Sequence, residues 1–132
     1  MIAADIEELV VLYLSQTFSN VGLDMPTSPP VPFYLVNNLN GDADWVTEHN
    51  LVEVCVFADT RTNAAVAARA LALVMNPWTF TPKLSFTLAS GVTTGIDYFR
   101  ILKKPKWHEY ENPNLQMYCG RYCIDLRMNQ TS

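Results

Sequence analysis

The run Leu51-Val-Glu-Val-Cys-Val-Phe-Ala58, followed by Asp59-Thr60 and the stretch Asn63-Ala-Ala-Val-Ala-Ala-Arg-Ala-Leu-Ala-Leu-Val-Met75, decides the fold. In an extended chain Val52, Val54 and Val56 fall on one side, and Leu51, Cys55 and Phe57 on the other. Only Glu53 interrupts the apolar pattern, so this strand is read as central and covered on both faces. Asp59-Thr60 supplies an N-cap for a helix that runs to about Met75, where Asn76-Pro77 stops it. Its alanines (Ala64, Ala65, Ala67, Ala68, Ala70, Ala72) let the helix backbone approach a sheet, with Val66, Leu71 and Val74 as expected anchors.

Working outward, residues 33–39 read as a second strand, and Asn40-Gly41-Asp42 as the turn after it. Residues 5–18 read as a helix. Asp5 and Glu8 resemble a capping box, and Ile6, Leu9, Val10, Tyr13 and Leu14 recur at three- and four-residue spacing. Residues 18–32 form a connector whose four prolines exclude helix and central strand. Three more strands are expected at 84–88, 96–103 and 115–127. In the last, Tyr118, Tyr122, Ile124 and Leu126 share one face and Arg121, Asp125 and Arg127 the other, the alternation of a sheet wet on one side. The order predicts one α+β domain over residues 1–132. Its sheet is mostly antiparallel, of about five strands, with two helices packed on one face and a flexible tail at 128–132.

The chain has 132 residues, 49% of them hydrophobic and 17% charged. That suits a single folded domain and excludes a disordered chain. No apolar run is long enough to cross a membrane as a helix. Met1 is followed at once by Asp5, Glu7 and Glu8 in place of a signal peptide, so a soluble intracellular protein is expected. The net charge of −4 argues against a dedicated nucleic-acid binder.

That average conceals a division. Residues 1–60 carry nine acids and no Lys or Arg, a net of −9. Residues 61–132 carry nine bases against four acids, a net of +5. Two readings stay open. The halves attract each other within one molecule, or the molecule presents an acidic and a basic surface that favour head-to-tail contact between copies.

Signatures of chemistry are absent. Neither GxxxxGK[ST], GxGxxG nor GxSxG occurs, and His49 and His108 read as exposed loop histidines. No catalytic, cofactor-binding or metal residue is assigned. The acidic segment from Asn38 resembles a calcium loop, but Ala43 stands where glycine is needed and His49 where a bidentate Glu is needed. Cys55, Cys119 and Cys123 contain no CxxC pair. Cys119 and Cys123 share a strand face about 13 Å apart, beyond disulfide reach, so all three read as buried thiols in a reducing compartment.

The candidate contact residues are Asp42, Asp44, Trp45 and Glu48 at a hairpin tip, and Lys103, Lys104, Lys106 and Trp107 in the basic cluster. Trp45 amid acids is either an anchor for a partner or folds back on its own sheet. The lysines and Trp107 suit either a nucleic-acid backbone or, more in keeping with the overall charge, an acidic protein neighbour.

The layout resembles the tail terminator proteins of long-tailed, non-contractile bacteriophages. The features that carry this are the N-terminal helix, the Pro-rich connector, Val31-Pro-Phe-Tyr-Leu-Val36, the strand Leu51-Val-Glu-Val-Cys-Val-Phe57 and the helix over residues 62–75. The segment Tyr110-Glu-Asn-Pro-Asn-Leu-Gln-Met-Tyr-Cys-Gly-Arg-Tyr-Cys-Ile-Asp-Leu-Arg127 looks like the family's last strand, an Asn-Pro turn leading into a strand with a central Arg. The likeness spans nearly the whole chain in pattern and order, and other small neck and head-completion (stopper) proteins share part of it.

The resemblance implies a structural virion protein at the tail–neck junction, assembled in the host cytoplasm and catalysing no reaction. Its copies form a hexameric ring that caps the tail tube, ends tube polymerisation and docks the head–tail connector. The implied partners are the chain itself, the major tail tube protein and the connector or stopper protein. DNA crosses the lumen without sequence-specific binding, and no membrane or cofactor is involved. On this reading the Asp42–Glu48 hairpin faces the lumen and Lys103–Trp107 meets an acidic neighbour.

Overall fold

Eight elements follow one another along the chain. They are α1 (Asp5–Ser15), β1 (Val21–Gly22), β2 (Phe33–Ala43), β3 (Thr47–Ala58), α2 (Arg61–Val74), β4 (Ser85–Thr87), β5 (Thr93–His108) and β6 (Gln116–Arg127). The structure is a computed structural model and describes residues 5–43, 47–76, 85–87 and 93–127. The strands form one sheet in the order β1-β2-β3-β6-β5-β4. Only the short β1–β2 pair is parallel; every other neighbouring pair is antiparallel. The expected α+β architecture is thus observed, with the two-residue β1 added at one edge of the sheet.

Both helices cover the same face. Val52, Val54 and Val56 of β3 and Tyr122, Ile124 and Leu126 of β6 share one buried cluster with Ile6, Leu9, Val10, Tyr13 and Leu14 of α1. Ala67, Ala68 and Leu71 of α2 and the following Met75 complete it. The spacing of these helical residues is what buries one stripe of each helix. The opposite face of β3 and β6 is dry only at one end, where Phe33, Cys55, Phe57 and Cys119 pack with Met25, Leu35, Tyr110 and Met117. The Pro-rich connector supplies Met25 to this second cluster and contains a cis Val31–Pro32 bond.

Polar contacts lock the helices in place. The Tyr13 hydroxyl donates to the Val74 carbonyl at 2.7 Å, joining α1 to the end of α2. A Glu7 carboxylate oxygen accepts from the backbone N–H of Asn38 on β2 at 3.1 Å. Thr60 is the N-cap of α2, its hydroxyl accepting from the Asn63 N–H at 3.1 Å. Asp59 accepts from the Asn63 side chain at 2.9 Å, and that bond holds the Asp59 carboxyl below its ordinary pKa. Among the described residues no helix is long and apolar enough to cross a membrane.

Several expectations are corrected. Asn40-Gly41-Asp42 is not a turn. These residues continue β2 and pair with Leu51, Asn50 and His49, after a bulge between Asn38 and Asn40. Pairing along the whole of β3 outweighs the local turn preference, and the bulge absorbs the extra residue. Val66 is no anchor, being 58% exposed, because the buried stripe runs through Ala64, Ala67, Ala68 and Leu71. His49 and His108 lie in strands β3 and β5 rather than in loops.

The cysteine reading also fails. Cys55 and Cys119 are bonded to each other, their Cα atoms 4.1 Å apart, and Cys123 alone is free. The β3–β6 register sets these two residues directly opposite. Nothing in a sequence separation of 64 announces that register.

Candidate functional site

The strand order converts the division of charge along the chain into a division in space. Residues up to Ala58 build β1, β2 and β3 on one side of the sheet, and residues from Ser85 onward build β6, β5 and β4 on the other. Helix α1, with Glu7 and Glu8, packs on the β1–β2 side; α2, with Arg61 and Arg69, packs on β3, β6 and β5. Among the described residues the two halves exchange one ion pair across the β3–β6 seam, where Arg121 Nε donates to Glu53 Oε2 at 3.1 Å. Beside it His49 Nδ1 stands 2.9 Å from Asp125 Oδ2, a contact in which the acid comes from the basic half. The first open alternative is thus met by the single Arg121–Glu53 pair.

The basic side ends in β5, where Arg100, Lys103, Lys104 and Lys106 are all exposed. Among the described residues none of the three lysines has a carboxylate partner. Lys103 lies opposite Arg121 and Lys106 opposite Cys119, so both occupy the face away from the helices. β4 pairs with β5 only over Thr93–Gly95, and past that point the outer edge of β5 has no strand partner among the described residues. β5 shifts register three times against β6 and contains Pro105, which has no N–H to offer. Bulges, lysines and a proline are also how open edges resist indiscriminate pairing.

Trp107 lies on the face opposite Lys103 and Lys106. It pairs with Tyr118, which packs against the helix-side core. The Arg61 guanidinium sits 4.6 Å from its ring centroid, and its indole N–H donates to Gln116 Oε1 at 3.0 Å. Its ring thus carries a contact within its own fold and stays 36% exposed.

The acidic candidates sit at the far end of the β2–β3 hairpin. Asp42 is in register with His49, and Glu48 with Ala43 and Leu126. Asp44 and Trp45 lie outside the described residues. Lys103 is level with Glu53 and Lys106 with Cys55 through β6. At about 3.3 Å per residue the lysines are thus displaced from the Glu48 level by about 17 to 23 Å along the strands. The acidic tip and the basic stretch occupy opposed regions of the sheet.

Among the described residues one cluster has metal-ligand chemistry. Glu53, Cys55 and Cys119 present donor atoms within 4.8 Å of one another. The two sulfurs are consumed by the disulfide and the carboxylate by Arg121, so this is a covalent and ionic clamp across the seam. Neither a protein-family model nor a curated protein matches this sequence. Function rests on the geometry alone. Sequence reasoning missed the clamp because it depends on register.

Proposed function

We propose that the chain is a structural ring subunit of a virion, acting as the tail terminator of a long-tailed bacteriophage. The observation that carries this reading is the division of the acidic and basic halves of the chain between two sides of one sheet, with the lysine-bearing part of β5 lacking an outer strand partner among the described residues. A subunit that repeats around a ring needs two different side surfaces that complement each other, and opposite charges provide that complementarity. In this reading the exposed lysines of β5 meet the acidic β1–β2 side of the next copy. The hairpin end bearing Asp42, Asp44 and Glu48 borders the lumen, where like charge keeps passing DNA from adhering. The ring caps the tail tube and offers its other surface to the head–tail connector, and the chain catalyses no reaction.

The test is the mass of the purified chain by size-exclusion chromatography with light scattering at low and high salt. A ring near six times 14.9 kDa that loosens as salt rises is the expected result. A monomer at every salt concentration, also in the presence of tail tubes, refutes it.

A further inference from the structure

We propose that the sheet face turned away from the helices docks the acidic margin of a second copy through a row of three cations, Arg100, Lys103 and Lys106. This rests on the ring reading and deepens it, naming which surface of β5 makes the contact. The three residues are register partners of Cys123, Arg121 and Cys119, alternate residues of β6, so all three stand on the uncovered face. Their levels are about 7 Å apart along the strands. Two bulges produce the row: from Arg100 to Lys106 β5 advances six residues while β6 advances four, from Cys123 to Cys119. Without them Leu102 would stand opposite Arg121 and Lys104 opposite Cys119, and the row would lose its middle.

The row is unfavourable for the molecule alone. All three side chains are exposed, and among the described residues none has a carboxylate partner. Lys103 stands directly opposite Arg121, and like charges in that relation destabilise a sheet. The described acids that β3 and β6 place on this face are already engaged: Glu53 accepts from Arg121, and Asp125 stands against His49. An anionic surface laid on the face relieves the repulsion.

Charge complementarity selects the occupant. Residues 5–24 hold Asp5, Glu7, Glu8 and Asp24 and no Lys or Arg. They build α1 and β1, and α1 packs against β1 and β2 at the other margin of the sheet. In the order β1-β2-β3-β6-β5 the two margins are four strand spacings apart, about 19 Å. That is roughly twice the screening length at 0.1 M salt, so they do not neutralise each other within one molecule. Head-to-tail contact brings them together, the row of one copy meeting the α1–β1 margin of the next. Lys104 stands outside the row and takes no part.

The test compares two variants of equal charge change by light scattering at low salt. Arg100→Glu/Lys103→Glu reverses part of the row, whereas Arg69→Glu/Lys104→Glu reverses two exposed cations outside it. The row variant should weaken self-association by more than about tenfold, and the other variant by much less. Arg100→Gln/Lys103→Gln removes charge without adding any, and should act in the same direction even where the reversal fails to fold. A zero-length carbodiimide, which joins an amine to a carboxylate, should link Lys103 or Lys106 of one copy to a carboxylate within residues 5–24 of another. Equal effects of the two charge reversals, or links between copies confined to Lys104 or to other acids, overturn the proposal and leave the ring reading standing. So does a row that binds a single-stranded oligonucleotide while its reversal leaves self-association unchanged, the behaviour of a nucleic-acid surface. A parent chain that stays monomeric at every salt concentration, also with tail tubes present, overturns both.

Discussion

Cys55 on β3 and Cys119 on β6 face each other in register and are joined covalently, closing 64 residues of chain across the seam between the acidic and basic sides. A cross-link over that length restricts the unfolded chain strongly. Reduction, or the Cys55→Ser/Cys119→Ser pair, should lower stability by about 2–4 kcal/mol in urea unfolding. Cys123→Ser leaves this bond in place and should not change the response to reductant. If parent and double variant unfold at the same urea concentration, the bond contributes nothing.

Gly120 and Tyr122 are coupled through space. An alanine at position 120 places its Cβ 2.7 Å from the Tyr122 hydroxyl and 3.1 Å from Cζ. Gly120→Ala should therefore cost about 1–3 kcal/mol through overpacking. Adding Tyr122→Phe should recover part of that loss, because the nearest clashing atom is gone while the ring stays. A double-mutant cycle checks it, and strict additivity would deny the contact.

Charge reversal separates the two ends of the sheet. Replacing Lys103, Lys104 and Lys106 together by Glu should lower the oligomer's mass at low salt, as read by light scattering. Reversing Asp42 and Asp44 should leave the oligomer intact and slow DNA passage, read as infectivity of assembled particles. An unchanged mass for the lysine variant removes those residues from the interface.

Alkaline stability has a defined sign. Burial pushes the Tyr34 pKa from 10.0 up to about 12, and it pushes Tyr13 and Tyr122 up as well. The folded state then holds phenolic protons that the unfolded state releases. Their contribution to stability is complete below pH 10 and is lost as pH rises from there through about 12. Phenolate absorbance should therefore rise in two stages, the second coinciding with unfolding measured by circular dichroism. Ionisation of all six tyrosines in one stage, with the fold intact, would contradict that burial.

The elements most legible in the sequence were those whose local pattern and tertiary role agree. The two-sided apolar run of β3, the alternation in β6 and the Thr60 cap each carry their own signal, and each is where that signal puts it. The failures in the sheet share one cause, the register between distant strands. Asn40-Gly41-Asp42 has the local chemistry of a turn and becomes strand because β3 continues opposite it. Lys104, Pro105 and Lys106 look like the end of a strand and remain in β5 because bulges accommodate them. For the candidate site, the charge of each half was readable, but the fact that the halves take opposite sides of the sheet was not. Trp107 was grouped with its neighbours in sequence, whereas Arg61 holds it on the other face.

The strand order also governs how the molecule must be made. β6 lies in the middle of the sheet yet follows every other element in the chain. While a ribosome is still extending the polypeptide through β5, one edge of β3 is bare, and its valines have only part of their cover. Helix α2 can dock early, but the sheet closes only when the last strand threads between β3 and β5. Folding of this subunit is therefore a late, all-at-once event dominated by distant contacts, which makes it slow and exposes an adhesive edge meanwhile. A truncation that shortens β6 removes the middle of the sheet rather than its fringe.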